Sequence, residues 1–107
     1  MDEAIAEWRA ALGAARVAND EVTLARYART TLDEGTRPAA VLYPQSTAHV
    51  QAAVRIAGRH GAVLYPISRG RNWGYGDACA PLPGSVVVDL SRMNRILEVN
   101  TELGYAV

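Results

Sequence analysis

Two apolar runs, residues 39–43 and 62–67, bracket a stretch with helical period, and no other feature restricts the possible folds as much. Each run is too short for a helix, and Pro44 closes the first, so both read as buried strands. Between them Ser46 or Thr47 starts a helix in which Val50, Ala53, Val54 and Ala57 recur at i, i+3, i+4 and i+7, with Arg55, Arg59 and His60 late in it and Gly61 ending it. Residues 39–67 are therefore predicted to form a βαβ unit whose strands are parallel neighbours. Residues 85–90, Ser-Val-Val-Val-Asp-Leu, read as a strand buried on both faces. Residues 96–100 and those from Tyr105 onward flank a turn and predict an antiparallel hairpin.

Ahead of this unit, Ile5, Trp8 and Leu12 place an apolar stripe on a helix over residues 2–15, weakened at its end by Gly13. Asn19 and Asp20 suit the cap of a second helix, with Leu24, Tyr27, Ala28 and Thr31 on one face, and residues 33–38 read as a polar loop. The expected organisation is a helical segment over 1–37 followed by the main unit over 38–107. With 107 residues, half of them apolar, the chain has material for one small core.

Eleven acidic side chains balance eleven basic ones, which argues against a nucleic-acid or anionic-membrane partner. Every basic residue is arginine, so a Walker-type lysine loop and Schiff-base chemistry are excluded for these residues. Cys79 stands alone, and His49 and His60 do not join it at metal-ligand spacing; no metal site is expected. No segment has the run of about 20 apolar residues of a membrane span, nor a leader-like apolar core, and a soluble cytoplasmic chain is the default expectation. The last four residues stop inside an apolar strand pattern, which predicts a piece of a longer polypeptide.

The segment Pro66-Ile67-Ser68-Arg69-Gly70-Arg71-Asn72-Trp73-Gly74-Tyr75-Gly76 leaves the carboxyl end of a strand, where open α/β sheets bind ligands. Its glycines do not fit G-x-G-x-x-G, and Pro81 and Pro83 keep a helix from following closely, so a helix dipole is not the anion holder. Successive amides can converge instead, with Gly70, Gly74 and Gly76 permitting positive φ and close approach of a ligand. Arg69 and Arg71 add charge-assisted donors and Asn72 a side-chain donor, which suits phosphate. A solvated loop with no ligand remains the plainer alternative on spacing alone.

That string, followed by Ala80-Pro81, by Gly84-Ser85-Val86-Val87-Val88-Asp89-Leu90 and by Met93-Asn94-Arg95, resembles the FAD-binding domain of the vanillyl-alcohol oxidase and 4-cresol dehydrogenase (p-cresol methylhydroxylase, PCMH) flavoprotein family. The likeness is close from about Pro38 to Val107 and fainter before. It implies an α+β fold, the first subdomain of a PCMH-type FAD-binding domain, with a small sheet, a βαβ unit and flanking helices. It implies FAD as cofactor, its diphosphate held by Ser68, Arg69, Gly70, Arg71, Asn72 and Trp73, with Gly74 and Gly76 completing the loop. It also implies that Tyr75 hydrogen-bonds the oxygen of a phenolic substrate, which favours the ionised phenol as hydride leaves the benzylic carbon for the flavin and a quinone methide forms.

The function so implied is flavin-dependent oxidation of 4-alkylphenols or 4-hydroxybenzyl alcohols. The implied partners are a small phenolic substrate, the remainder of the same polypeptide, oxygen or a cytochrome as electron acceptor, and further copies of the full-length protein. Two alternatives stay open: a non-catalytic phosphate or nucleotide-binding module, and a flavin oxidoreductase of the same fold acting on a non-phenolic alcohol. Asp77 stands where many family members carry a small residue, and Trp73 is bulkier than the usual occupant, which leaves the substrate pocket's shape open. The residue for covalent flavin attachment, where the family has one, falls well downstream. Cys79 reads as a small hydrophobe, not a redox thiol. His49 and His60 are expected at the surface, Trp8, Tyr27 and Tyr43 in the core, and Asp89 as a loop cap.

Overall fold

The computed structural model describes residues 1–31, 35–71 and 77–107. Helix α1 spans Asp2–Leu12 and stops before Ala15, because Gly13 turns out of it at φ 95°. A short 3-10 turn, Ala14–Arg16, leads into β1, Val17–Ala18, a strand the apolar pattern is too brief to announce. Helix α2, Glu21–Tyr27, begins where the Asp20 carboxylate accepts from the Thr23 amide. Then come β2 (Ala40–Leu42), α3 (Thr47–His60), β3 (Leu64–Ile67), β4 (Val86–Asp89), a 3-10 turn (Leu90–Arg92), and the hairpin strands β5 (Val99–Asn100) and β6 (Tyr105–Ala106).

The main sheet has the order β1-β2-β4-β3. Strands β2 and β3 run parallel as expected of a βαβ unit, but they are not neighbours: β4 lies between them and pairs with both. Two properties of the sequence account for this insertion. The Val86-Val87-Val88 run is apolar on both faces and is fully buried, which only a central strand allows. Strand β3 carries Pro66, which lacks an N–H and belongs at a sheet edge, and Pro66 is exposed there.

Alternation along the strands divides the interior in two. Ala40, Leu42, Val86 and Val88 face α1 and α3, packing against Ile5, Trp8, Leu12, Ala53, Ile56 and Ala57. Val41, Tyr43, Val87 and Ile67 face the other way, toward Leu24 and Tyr27 of α2 and Ala80. The buried face of α3 is Ala53, Ile56 and Ala57, with Val54 exposed, so it is rotated from the valine pattern. Docking of α1 decides this rotation: the Trp8 indole N–H donates to the Ala53 carbonyl at 3.1 Å, and the small Ala53 and Ala57 admit the ring. On α2 the buried set narrows to Leu24 and Tyr27, and Thr31 lies exposed beyond the helix.

The terminal hairpin forms as the turn signal suggests, with Val99 opposite Ala106 and Asn100 opposite Tyr105. Gly104 sits at φ 70° in its turn. Among the described residues no helix is long and apolar enough to cross a membrane.

Candidate functional site

Buried Ile67 anchors the end of β3 on the α2 side, and the chain leaves it through Ser68, Arg69, Gly70 and Arg71. Gly70 adopts φ 70°, and a Cβ built on it would lie 2.7 Å from the Ala78 Cβ. The position therefore excludes a side chain twice, by backbone conformation and by packing. No turn or loop carbonyl among the described residues accepts from the amides of Ser68, Arg69, Gly70 or Arg71. Asn72, Trp73, Gly74, Tyr75 and Gly76, the rest of the sequence-derived site, lie outside the described residues.

Two clefts meet at this turn. One, of about 260 Å³, is formed by residues 65–71 themselves. The other, of about 400 Å³, opens over the carboxyl ends of β3 and β4, between Arg69 and Gly70 on one side and Arg26, Tyr27 and Arg29 on the other, with Asp89 in its lining. Sequence reasoning placed Arg69 and Gly70 here and missed the α2 side. A signal was present: Arg26 and Arg29 stand three apart, a mutually repulsive spacing in a helical stretch, and Arg26 has no acid at i±3 or i±4.

Asp89 shows how the cleft floor is held. Alternation points its side chain to the α2 face, where it is buried and accepts from the Tyr27 hydroxyl at 2.5 Å and from the Ser91 amide at 2.9 Å. The second bond caps the 3-10 turn, the loop-capping role expected of it. Burial, and next the hydrogen bond to Asp89, pushes the Tyr27 phenol far above its ordinary range, so it stays protonated as a donor. Tyr43 meets Tyr27 edge to face at 6.4 Å and lies under the Arg92 guanidinium at 4.1 Å, while Arg26 covers the Tyr27 ring at 5.1 Å.

The remaining candidates fall elsewhere. Cys79 is half-buried, and its sulfur accepts from the Thr36 amide at 3.2 Å, tying residues 36 and 79 together outside both clefts. His49 caps locally, its Nδ1 accepting from the Gln45 amide at 3.1 Å. His60 is at the surface, but the fold brings it an acid that sequence proximity does not: its Nε2 lies 2.6 Å from Oε2 of Glu7, which Arg59 also reaches at 3.3 Å.

A left-handed glycine whose neighbouring amides have no backbone acceptor among the described residues, flanked by guanidinium groups at the carboxyl ends of parallel strands, fits the diphosphate of a dinucleotide. The family profile of the FAD binding domain matches residues 38–107, and the chain belongs to this family of flavoprotein domains, with FAD as its cofactor. Over 98% of its length it is 45% identical to the 1'-carboxy-chondrochloren decarboxylase of Chondromyces crocatus, of which it covers 19%. Two solved structures superpose on 98% of the chain, and it spans 21% of each. One is the 4-ethylphenol oxidase of Gulosibacter chungangensis, 40% identical with a TM-score of 0.90. The other is p-cresol methylhydroxylase with substrate bound, 31% identical with a TM-score of 0.93. The chain thus spans about a fifth of the length of these relatives.

Proposed function

We infer that the chain is the first subdomain of the FAD-binding domain of an oxidoreductase that acts on 4-alkylphenols or 4-hydroxybenzyl alcohols. The observation that carries the binding half of this reading is the side-chain-free turn at Gly70, which lines both clefts and whose neighbouring amides have no backbone acceptor among the described residues. The phenolic half is supported by the likeness to p-cresol methylhydroxylase and 4-ethylphenol oxidase. Amides of Ser68, Arg69, Gly70 and Arg71 hold the diphosphate, and the loop continues through Asn72, Trp73, Gly74 and Gly76. FAD, when bound, supplies the hydride acceptor.

The chain's own contribution to the chemistry is Tyr75, assigned to the phenol oxygen through the resemblance. A hydroxyl donated there stabilises negative charge on that oxygen, which makes the para carbon chain a better hydride donor. Residues 1–37, expected as a separate helical segment, support the unit over 38–107 from within its fold, with α1 packed on α3 and β1 paired to β2. The rest of the polypeptide, the electron acceptor (oxygen or a cytochrome) and further copies complete the enzyme. Exposed Ile96, Leu97, Val99, Leu103 and Val107 offer apolar surface for such a complement.

Tyr75→Phe in the gene product carrying this chain is expected to lower kcat on a 4-alkylphenol by on the order of a hundredfold with FAD still bound. An unchanged rate removes Tyr75 from the mechanism. A second reading, loss of carbon dioxide from a carboxylated substrate, is favoured by the name of the 45% identical relative. Carbon dioxide release alongside flavin reduction would separate it from simple dehydrogenation.

A further inference from the structure

We propose that Arg26 and Arg29, which lie ahead of the family-matched residues 38–107, bind the FAD diphosphate from the side of the cleft opposite Gly70. The inference rests on the dinucleotide reading of the Gly70 turn and extends the site to α2 and the residues that follow it. Three guanidinium groups, Arg26, Arg29 and Arg69, line one cleft of about 400 Å³. Among the described residues none of them has a carboxylate within ion-pair distance, although other arginines of the chain are paired: Arg37 with Glu21 and Arg59 with Glu7. The lining also holds two acids, Asp77 and Asp89; the Asp89 carboxylate is engaged by the Tyr27 hydroxyl and the Ser91 amide, not by a guanidinium group.

Their placement is also held from behind. Arg26 stacks on the Tyr27 ring and its Nη2 donates to the Tyr43 hydroxyl at 3.4 Å. The Nε of Arg29 donates to the Arg26 carbonyl at 3.4 Å. The Tyr27–Asp89 bond in turn fastens the end of α2 to the end of β4. The guanidinium groups gathered at the strand ends outnumber the carboxylates of the lining by three to two and present charge-assisted donors to an anion entering the cleft. A diphosphate carries about two negative charges, more than the amides of a glycine turn offset by themselves.

The test uses the apoprotein of the gene product that carries this chain, titrated with FAD and with riboflavin, which lacks phosphate, by quenching of flavin fluorescence. Arg29→Gln and Arg26→Gln are each expected to weaken FAD about tenfold, the loss of one charge-assisted hydrogen bond. Both should flatten the salt dependence and leave riboflavin affinity unchanged; Arg26→Lys should recover part of the loss. Arg29 is exposed and, among the described residues, its side chain bonds only to backbone, so Arg29→Gln is expected to fold with an unchanged melting temperature. Equal FAD affinity in wild type and Arg29→Gln, with Gly70→Ala weakened, overturns the proposal and leaves the dinucleotide site standing. Failure of the wild type to bind FAD, or full affinity in Gly70→Ala, overturns the dinucleotide reading and the proposal with it.

Discussion

Asp89 and Tyr27 illustrate how much a single hydrogen bond can organise at the residue scale. The carboxylate is 8% exposed and the tyrosine 7%, so neither has water to fall back on when its partner is removed. Tyr27→Phe is expected to cost about 1–3 kcal/mol of stability in chemical denaturation, the range for stranding a buried acceptor. A cost within a few tenths of a kcal/mol would show that the remaining Ser91 amide suffices. Tyr27 is recognisable in the sequence as a core residue, yet its partner is not, because 62 positions separate them and only the strand alternation of β4 turns Asp89 toward α2. Gly70 is the opposite case. Its surroundings in the string are enough to expect a left-handed turn and an anion, since glycine's conformational freedom is a local property; the α2 arginines across the cleft depend on tertiary placement.

Element by element, the helices and strands were readable where the period or a cap is strong, and the errors arise where packing decides. Helix α3 starts at the Ser46 cap and ends at Gly61 in the left-handed region, both visible in the sequence. Its rotation is not, because Val54 and Ile56 are equally apolar and only the arrival of Trp8 selects between them. The order β1-β2-β4-β3 likewise reflects a comparison between strands, the fully apolar β4 against the proline-bearing β3, that no single segment contains. The contact between α1 and α3 has an electrostatic rim with a definite pH signature. The hydrogen bond from His60, and then the nearby Arg59, hold the Glu7 carboxyl below its ordinary 4.5. A carboxyl depressed in the folded state contributes stability above its unfolded value, and loses it as pH falls from 4.5 through the folded value. Thermal melts taken between about pH 6 and pH 3 should therefore show a steeper acid decline for the wild type than for Glu7→Gln. Parallel declines would mean that the rim pair adds nothing to the helix contact.

For the molecule as a whole, a sheet with helices on both faces keeps one end of its strands open, and the Gly70 turn, the proposed diphosphate site, stands at that end. Helices α1 and α3 close one face with an apolar core, while α2 covers the other and contributes the charged wall of the larger cleft. The two faces therefore divide the work: one stabilises the sheet, and the other shapes a site against it. The claim on which this account turns is that main-chain amides around Gly70 grip the diphosphate of FAD. A crystal structure of the gene product carrying this chain, with FAD bound, measures it directly. The account predicts phosphate oxygens about 2.7–3.2 Å from amide nitrogens of residues 68–71; a diphosphate seated away from that turn, with those amides facing water, would contradict it.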